Sequence, residues 1–363
     1  MKKALKIVFN VIAWVVLIFA LLITILVFSS DKNNGTASLL GYVPLTVESD
    51  SMKPTFKKGD LIISKEIDDI NLRHQNTRFF PDVTLHESLK ATCDLNVVRD
   101  ADLLVLSVPT IAVEELCIKI GALVEKPVIV VNTSKGFHPQ TNERMSNVIR
   151  RFMPKDKLKS VVSLIGPSHA EEVVLRMLTT ICAVSLCEED ACSVQELFSN
   201  EYLRVYRGDD EVGSEIGVAL KNAIAVASGV LSGVGYGDNT KAALITRGLA
   251  EMIRYGVALG GRAETFMGLT GIGDLIVTCT SVHSRNFQAG YEIGTHNSAR
   301  YFWENNTKTV EGVRTAKVVY EVAKQKQIDM PIVEEIYRVL YEDKKPQQSA
   351  RDLMLRDLKH EMK

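Results

Sequence analysis

The sequence predicts a doubly wound α/β domain followed by an all-α domain. Two apolar runs bounded by turn residues, Leu103–Pro109 and Val128–Ser134, flank a segment with helical spacing, Ile111–Val124. Such runs are typical of parallel strands that are buried on both faces, and their alternation with helices makes a doubly wound sheet. After about Asp210 the strand-like runs stop, and helical spacing rich in Ala, Gly, Leu and Met continues to the C-terminus.

Three further runs complete the predicted sheet. They are Val161–Ile165, which leads into a Gly-Pro-Ser turn, Thr179–Leu186 and Leu203–Tyr206. In the helical part, small residues at Gly217, Ala225, Gly229 and Gly233 allow helices to approach closely. We therefore expect an α/β domain over residues 66–209 and a helical domain over residues 210–363.

The N-terminus has a different character. Lys2, Lys3 and Lys6 precede an apolar run of 22 residues, Ile7–Phe28, which is long enough to cross a bilayer as a helix. The lysines favour an orientation with the N-terminus inside, which sends the following residues outside. Residues 1–40 are thus a predicted membrane anchor and linker. Residues 41–65 alternate short apolar runs with turn residues, which predicts a short β-rich segment.

Charge and cysteine content exclude several classes of function. The formal net charge of −1 gives no basis for a nucleic-acid surface. The six cysteines form no C-x-x-C pair, and no His/Cys cluster has zinc spacing, so we predict no metal. Scattered cysteines are typical of a reduced cytosolic protein, which conflicts with the predicted anchor.

Two constellations in the helical part carry candidate chemistry. Lys221-Asn222 lies in an otherwise apolar helix, and a desolvated lysine can act as a general base; a lysine that reaches the surface is the alternative. Asp274 follows Gly271 and Gly273 on a tight turn, where it could orient a lysine or accept a substrate hydroxyl; a helix cap is the commoner use.

Two other constellations could hold a ligand. Ser284, Arg285 and Asn286 open a helical stretch, whose free N–H groups and arginine suit a phosphate; a plain serine cap with a solvated arginine is the alternative. Ser134–Phe137 and Gly166–Ala170 each follow a buried strand, where residues line the ligand crevice, although ordinary turn chemistry also explains them.

Together and in this order, these stretches resemble the bacterial NAD(P)-dependent glycerol-3-phosphate dehydrogenase family. The matching residues run from about Glu66 to the C-terminus and include VNTSKGF, IGPSHAEE, GVALKNAIAVASG and ETFMGLTGIGDLIVTCTS. The resemblance implies a Rossmann-like sheet and NAD or NADP as cofactor. It also implies a cytoplasmic enzyme, and a homodimer is one of the oligomeric states open to it. The implied reaction is hydride transfer between sn-glycerol 3-phosphate and dihydroxyacetone phosphate in glycerophospholipid precursor synthesis.

The resemblance also implies roles for individual residues. Lys221 matches the proton acceptor of the family. The positions that match substrate contacts are Lys135, Gly166, Ser168, Lys221, Asp274, Ser284, Arg285 and Asn286. The positions that match cofactor contacts are Lys135, Ala170, Arg285, Thr309 and Glu311.

One expected part is missing from the sequence. The family begins with a β-α-β unit whose G-x-G-x-x-G turn holds the pyrophosphate, and no stretch here has that spacing. We therefore predict a truncated Rossmann-like sheet with an open apolar gap, and negligible binding of NAD or NADP by this chain.

Residues 1–65 resemble a second family, type I signal peptidase, through the anchor and the stretch SDSMKPTFKKGDLI. Ser51 matches the serine nucleophile of that family, which needs a base within hydrogen-bond reach. The nearest histidines, His74 and His86, lie in no matching motif, so an inert remnant is the preferred interpretation of Ser51. A membrane-bound serine endopeptidase and an inactive chimera are the alternative functions.

Overall fold

The computed structural model describes residues 43–46, 61–64, 66–306 and 309–361. The chain divides into two compact units, Met1–Cys93 and Asp94–Lys363. The predicted anchor at residues 7–28 and the predicted nucleophile Ser51 lie outside the described residues.

The described part of the first unit contains two antiparallel strand pairs and one helix. Strand β1 (Val43–Thr46) pairs with β2 (Leu61–Ser64). Helix α1 (Glu66–Arg73) precedes β3 (Gln75–Asn76), which pairs with β4 (Phe80–Thr84). A hydrogen bond from Thr77 to Asp69 connects α1 to the turn after β3.

The second unit begins with a five-stranded sheet whose strands are ordered as in the sequence. They are β5 (Leu103–Leu106), β6 (Val128–Asn132), β7 (Leu158–Ile165), β8 (Thr179–Val184) and β9 (Leu203–Gly208). The connecting helices are α2 (Val113–Leu123), α3 (Met145–Phe152), α4 (Ala170–Val173) and α5 (Glu188–Phe198). Strands β7 and β8 pair antiparallel, and all other neighbours in this sheet are parallel.

Side chains of β6 alternate between two apolar cores, which is the pattern of a sheet covered on both faces. Val128 and Val130 pack in a cluster with residues of α2 and α3, whereas Ile129 and Val131 pack with Val194 of α5. This arrangement confirms the predicted doubly wound α/β layer.

Strand β5 differs from the prediction in length and in burial. It ends at Leu106 rather than Pro109, and its Val105 side chain is 45% exposed. The physical reason is that β5 forms hydrogen bonds to β6 alone among the described strands, so it is an edge strand. This exposed apolar edge agrees with the open gap that we predicted from the absence of the first β-α-β unit.

After β9 the described chain is helical. The helices are α6 (Glu211–Val234), α7 (Asp238–Ala258), α8 (Ala263–Phe266), α9 (Asp274–Thr280), α10 (Arg285–Thr295), α11 (Arg300–Asn305), α12 (Glu311–Lys326), α13 (Pro331–Tyr341) and α14 (Pro346–Met354). A short π-helical segment, Leu269–Gly273, leads into α9.

Helix α6 is the centre of the helical part. The Asp210 carboxylate caps its start by accepting a hydrogen bond from the Gly213 N–H, and Gly235 ends it in a left-handed conformation at φ +100°. Among the described residues, α6 is the only unbroken helix that is long and apolar enough to cross a membrane. Its most apolar window is 83% buried inside the structure, as in the core helix of a globular protein.

Glycines bring α6 and α10 into backbone contact. A Cβ added at Gly229 would lie 2.0 Å from the carbonyl oxygen of Phe287, and one at Gly290 would lie 2.0 Å from that of Val226. Since α10 begins with Arg285 and Asn286, this close crossing sets how near these residues come to α6.

We expect Gly229→Ala to destabilise the protein by about 1–3 kcal/mol. The added methyl group must push two backbones apart, and this cost exceeds the roughly 1 kcal/mol that alanine gains in helix propensity. Thermal unfolding followed by circular dichroism measures the effect. Gly273→Ala is the matched control, because the nearest atom to its added Cβ is 3.6 Å away. Equal midpoints for the two variants would contradict the prediction.

Candidate active site

Polar residues follow two neighbouring strands where each ends. Lys135 comes after β6, while Gly166 and Ser168 come after β7. The Lys135 Nζ atom donates to the Gly166 carbonyl oxygen at 2.6 Å and lies 3.4 Å from the Ser168 hydroxyl. These carboxyl ends of parallel strands are where ligands bind in α/β sheets.

Helices α6 and α9 bring a second lysine to the same place. Lys221 is 5% exposed, and its Nζ atom donates to Asp274 Oδ1 at 2.7 Å and to Thr278 Oγ1 at 2.8 Å. An ammonium group has three N–H donors, so one remains for a ligand. The alternative of a lysine that reaches the surface is wrong here, because the side chain ends on a buried carboxylate.

Asp274 lies between the two lysines. Its Oδ2 atom is 3.2 Å from Lys135 Nζ, an ion-pair distance. That oxygen accepts no hydrogen bond of acceptable angle within the described residues, although Asp274 is only 1% exposed. The Oδ2 atom is therefore close to a cation and can still accept a hydrogen bond from a hydroxyl group.

Burial lowers the pKa of Lys221, and the Asp274 carboxylate and the Lys135 charge partly oppose and reinforce this shift, respectively, so that the pKa lies at about 8. A lysine with a pKa near 8 is half neutral under mildly alkaline conditions, so it can accept a proton. This property separates Lys221 from an ordinary surface lysine with a pKa near 10.4.

We expect the Lys221 amine to titrate with a midpoint near pH 8 and to be neutral above it. Nuclear magnetic resonance of ¹³Cε-labelled lysine measures the midpoint, with Lys221→Met to assign the signal. Asp274→Asn should move the midpoint to lower pH, because the carboxylate raises this pKa. An unchanged or higher midpoint in Asp274→Asn would overturn our account of the electrostatics.

The start of α10 connects to the lysine through asparagine side chains. Ser284 caps the helix by accepting from the Phe287 N–H at 3.3 Å. Asn286 donates to Asn222 Oδ1 at 2.9 Å and accepts from the Gly312 N–H at 2.8 Å. Asn286 therefore ties the residue next to Lys221 to the start of α12.

Comparisons with known proteins match the chain to one family. Residues 210–351 match the family model for the C-terminus of NAD-dependent glycerol-3-phosphate dehydrogenase, and residues 55–191 match that for its N-terminus. The second match begins upstream of the Glu66 boundary that the sequence suggested.

Individual relatives share most of their length with the chain. The glycerol-3-phosphate dehydrogenase [NAD(P)+] of Enterococcus faecalis is 47% identical over 298 residues, which cover 82% of this chain and 88% of the relative. That of Listeria monocytogenes is 48% identical over 300 residues, covering 82% and 89%. The crystal structure of the Coxiella burnetii enzyme superposes with a TM-score of 0.74 at 30% identity, covering 81% and 89%. This chain belongs to the NAD-dependent glycerol-3-phosphate dehydrogenase family.

In a member of this family, a nicotinamide cofactor must approach the lysine site. The described residues offer groups for the nicotinamide end of the cofactor but not for its pyrophosphate. Burial raises the pKa of Glu311, whereas its charged neighbours Arg314 and Arg285 and a hydrogen bond from Thr110 lower it. A Cβ added at Gly136 (φ +145°) would lie 3.2 Å from the Glu311 carboxylate and 3.3 Å from Thr110, so these three residues pack closely together.

The other end of the cofactor has no counterpart among the described residues. The sequence carries no G-x-G-x-x-G turn, and β5 is an open edge where the strand bearing that turn would pair. Ala170 opens the four-residue α4 and is exposed, as is Thr309. Neither residue provides a charged group for a pyrophosphate.

One residue close to the lysine was not singled out from the sequence. Thr278 lies one helical turn after Asp274, and this spacing puts both side chains on one face of α9, which is a signal that could have found it. Asn222 was named together with Lys221, but its hydrogen bond from Asn286, which lies on another helix, leaves no pattern in the sequence.

A cavity of about 1180 Å³ lies elsewhere, between α7, α14 and the residues that follow α14. It contains the buried Glu251, whose carboxylate accepts hydrogen bonds from the N–H groups of Ile332 and Val333 at the start of α13. Among the described residues that line this cavity, no lysine lies next to an orphaned carboxylate.

Proposed function

We propose that this chain is an NAD(P)-dependent sn-glycerol-3-phosphate dehydrogenase, which interconverts sn-glycerol 3-phosphate and dihydroxyacetone phosphate. The observation that carries the proposal is the buried Lys221, paired with Asp274 and carrying a pKa near 8. When bound, NAD or NADP accepts or supplies the hydride at its nicotinamide ring. The chain must then align the substrate and move one proton.

The lysine site supports a role for each of its groups during oxidation. Neutral Lys221 takes the proton of the C2 hydroxyl, and Asp274 stabilises the ammonium group that forms. Lys135 lies against Asp274 and Gly166, where its charge can stabilise negative charge developing on the C2 oxygen.

The phosphate of the substrate is assigned to the start of α10. Free N–H groups at a helix start favour an anion, and Arg285 and Asn286 are the first two residues of this 11-residue helix. Ser284 caps it by accepting from the Phe287 N–H. Gly166 and Ser168, which are joined by a hydrogen bond from the Ser168 hydroxyl to the Gly166 carbonyl oxygen, are proposed as further substrate contacts. The contacts proposed for the cofactor are Lys135, Ala170, Arg285, Thr309 and Glu311.

Binding of dihydroxyacetone phosphate to the full-length chain, measured by calorimetry, tests this proposal without any cofactor. We expect binding that is lost in Arg285→Ala and kept in Arg300→Ala, a control on α11 whose guanidinium group pairs with Asp343. Failure of the wild-type chain to bind the triose phosphate, or equal loss in both variants, would reject the assignment.

Finer parts of the proposal concern the remaining chain. We propose the division into residues 66–209 and 210–363, a homodimer, and a cytoplasmic catalytic part. For residues 1–65 we propose a remnant of a type I signal peptidase with Ser51 as an inert position, joined to a membrane anchor at residues 7–28. The residue patterns of the N-terminal sequence support this origin.

A further inference from the structure

A buried carboxylate joins the sheet of the second unit to helix α6. Glu215 is 6% exposed and its side-chain oxygens accept four hydrogen bonds. Ser146 donates its N–H at 3.1 Å and its hydroxyl at 2.7 Å, Ser163 donates its hydroxyl at 2.9 Å, and Arg144 donates at 3.0 Å. All these donors lie on β7 or at the start of α3, so Glu215 bonds only to the α/β part.

Two rigid segments lead from this carboxylate to the substrate site. Lys221 follows Glu215 by six residues along the continuous, buried α6. Gly166 follows Ser163 by three residues, immediately after the end of β7. A helix rises about 1.5 Å and a strand about 3.3 Å per residue, so both segments span roughly 9–10 Å. The hydrogen bond between Ser163 and Glu215 therefore connects the helix that carries Lys221 to the strand that leads to Gly166.

The neighbouring carboxylate on α6 lacks this connection. Glu211, one turn earlier and 3% exposed, accepts two hydrogen bonds from Arg150, both at 2.8 Å. Arg144 lies 3.7 Å from it. These partners belong to α3 and the residue before it, and within the described residues no side-chain hydrogen bond or ion pair joins Glu211 to a strand. The chain thus contains a buried ion pair of similar kind that does not reach β7.

We propose that Glu215 is a positioning residue, and that its hydrogen bond from Ser163 sets the distance between Lys221 and the Gly166–Ser168 side of the substrate site. The proposal rests on the proposed function for the identity of the ligand. Four donors surround the carboxylate, and an ionised carboxylate can accept all four. Burial and the Glu211 charge raise the pKa of Glu215, whereas Arg144, Ser146 and Ser163 lower it.

Two serine variants of the full-length chain test the proposal. Ser163→Ala and Ser146→Ala each delete one fully buried hydroxyl that donates to Glu215, yet only Ser163 lies on the strand that leads to Gly166. Calorimetry with sn-glycerol 3-phosphate should show affinity about fivefold weaker in Ser163→Ala, as expected for one lost hydrogen bond. Affinity in Ser146→Ala should change less than twofold, at a similar loss of thermal stability.

Hydrogen–deuterium exchange provides a measurement that needs no ligand. Amides of residues 166–170 should exchange faster in Ser163→Ala and at the wild-type rate in Ser146→Ala. Glu211→Gln should lower thermal stability without changing exchange there, while Glu215→Gln, if it folds, should reproduce Ser163→Ala. Equal effects of the two serine variants on exchange would overturn the positioning role. If the wild-type chain binds neither sn-glycerol 3-phosphate nor dihydroxyacetone phosphate, the proposed function fails, and the exchange rates still decide this inference.

Discussion

Adding a β-α-β unit with a G-x-G-x-x-G turn in front of Glu66 should convert the chain from negligible to micromolar affinity for NADH or NADPH. In a Rossmann-type domain the pyrophosphate rests on the glycine turn and the start of the first helix. This sequence has no such turn, and charge-assisted hydrogen bonds contribute about 1.5–3 kcal/mol each. Loss of two such bonds weakens binding by roughly 10²–10⁴-fold.

Fluorescence titration of the chain with and without the added unit measures this change. The unit can be taken from the Enterococcus faecalis relative, which is 47% identical over the shared region. The same unit with its three glycines replaced by valine is the matched control. Micromolar binding by the chain without the addition would refute the prediction. Exchange of the amides in β5 should slow in the completed protein, because a new strand then pairs with that open edge.

Sequence patterns predicted the strands well where burial alone decides the structure. Val128–Ser134 reads as a strand because every residue of β6 is buried, and both faces of the sheet need apolar side chains. The same reasoning was wrong about the length and burial of β5. This strand lies at the edge of the sheet because it has no neighbouring strand on one side, and the sequence of the strand itself does not show this. The antiparallel pairing of β7 and β8 was equally invisible, because direction depends on the connection between strands.

The candidate site shows a similar division. Lys221 was conspicuous because a charged residue interrupts an apolar helix, and Asp274 because glycines surround it. Their pairing at 2.7 Å, however, links residues 53 positions apart and depends on how α6 and α9 pack. The role of Glu215 also required the structure, because its partners Ser146 and Ser163 are ordinary residues until the fold places them on one buried carboxylate.

Lys221→Ala and Lys221→Arg should each lower kcat by about 10²–10⁴-fold in the protein completed with the β-α-β unit, which is the usual contribution of a general acid or base. Arginine is the more informative change because it keeps a positive charge beside Asp274 but cannot become neutral. Its loss of activity would therefore report the lost proton acceptor rather than a broken ion pair.

Small amines separate the two variants further. Alanine leaves a space beside Asp274 and Thr278 that methylamine can enter, so added amine should restore part of the activity of Lys221→Ala, with the restored rate rising as the amine becomes neutral. Arginine fills that space, so methylamine should not restore Lys221→Arg. Steady-state oxidation of sn-glycerol 3-phosphate, followed by NADH formation, measures both. If Lys221→Ala keeps more than about a tenth of the wild-type kcat, another group accepts the proton and the assignment of Lys221 is wrong.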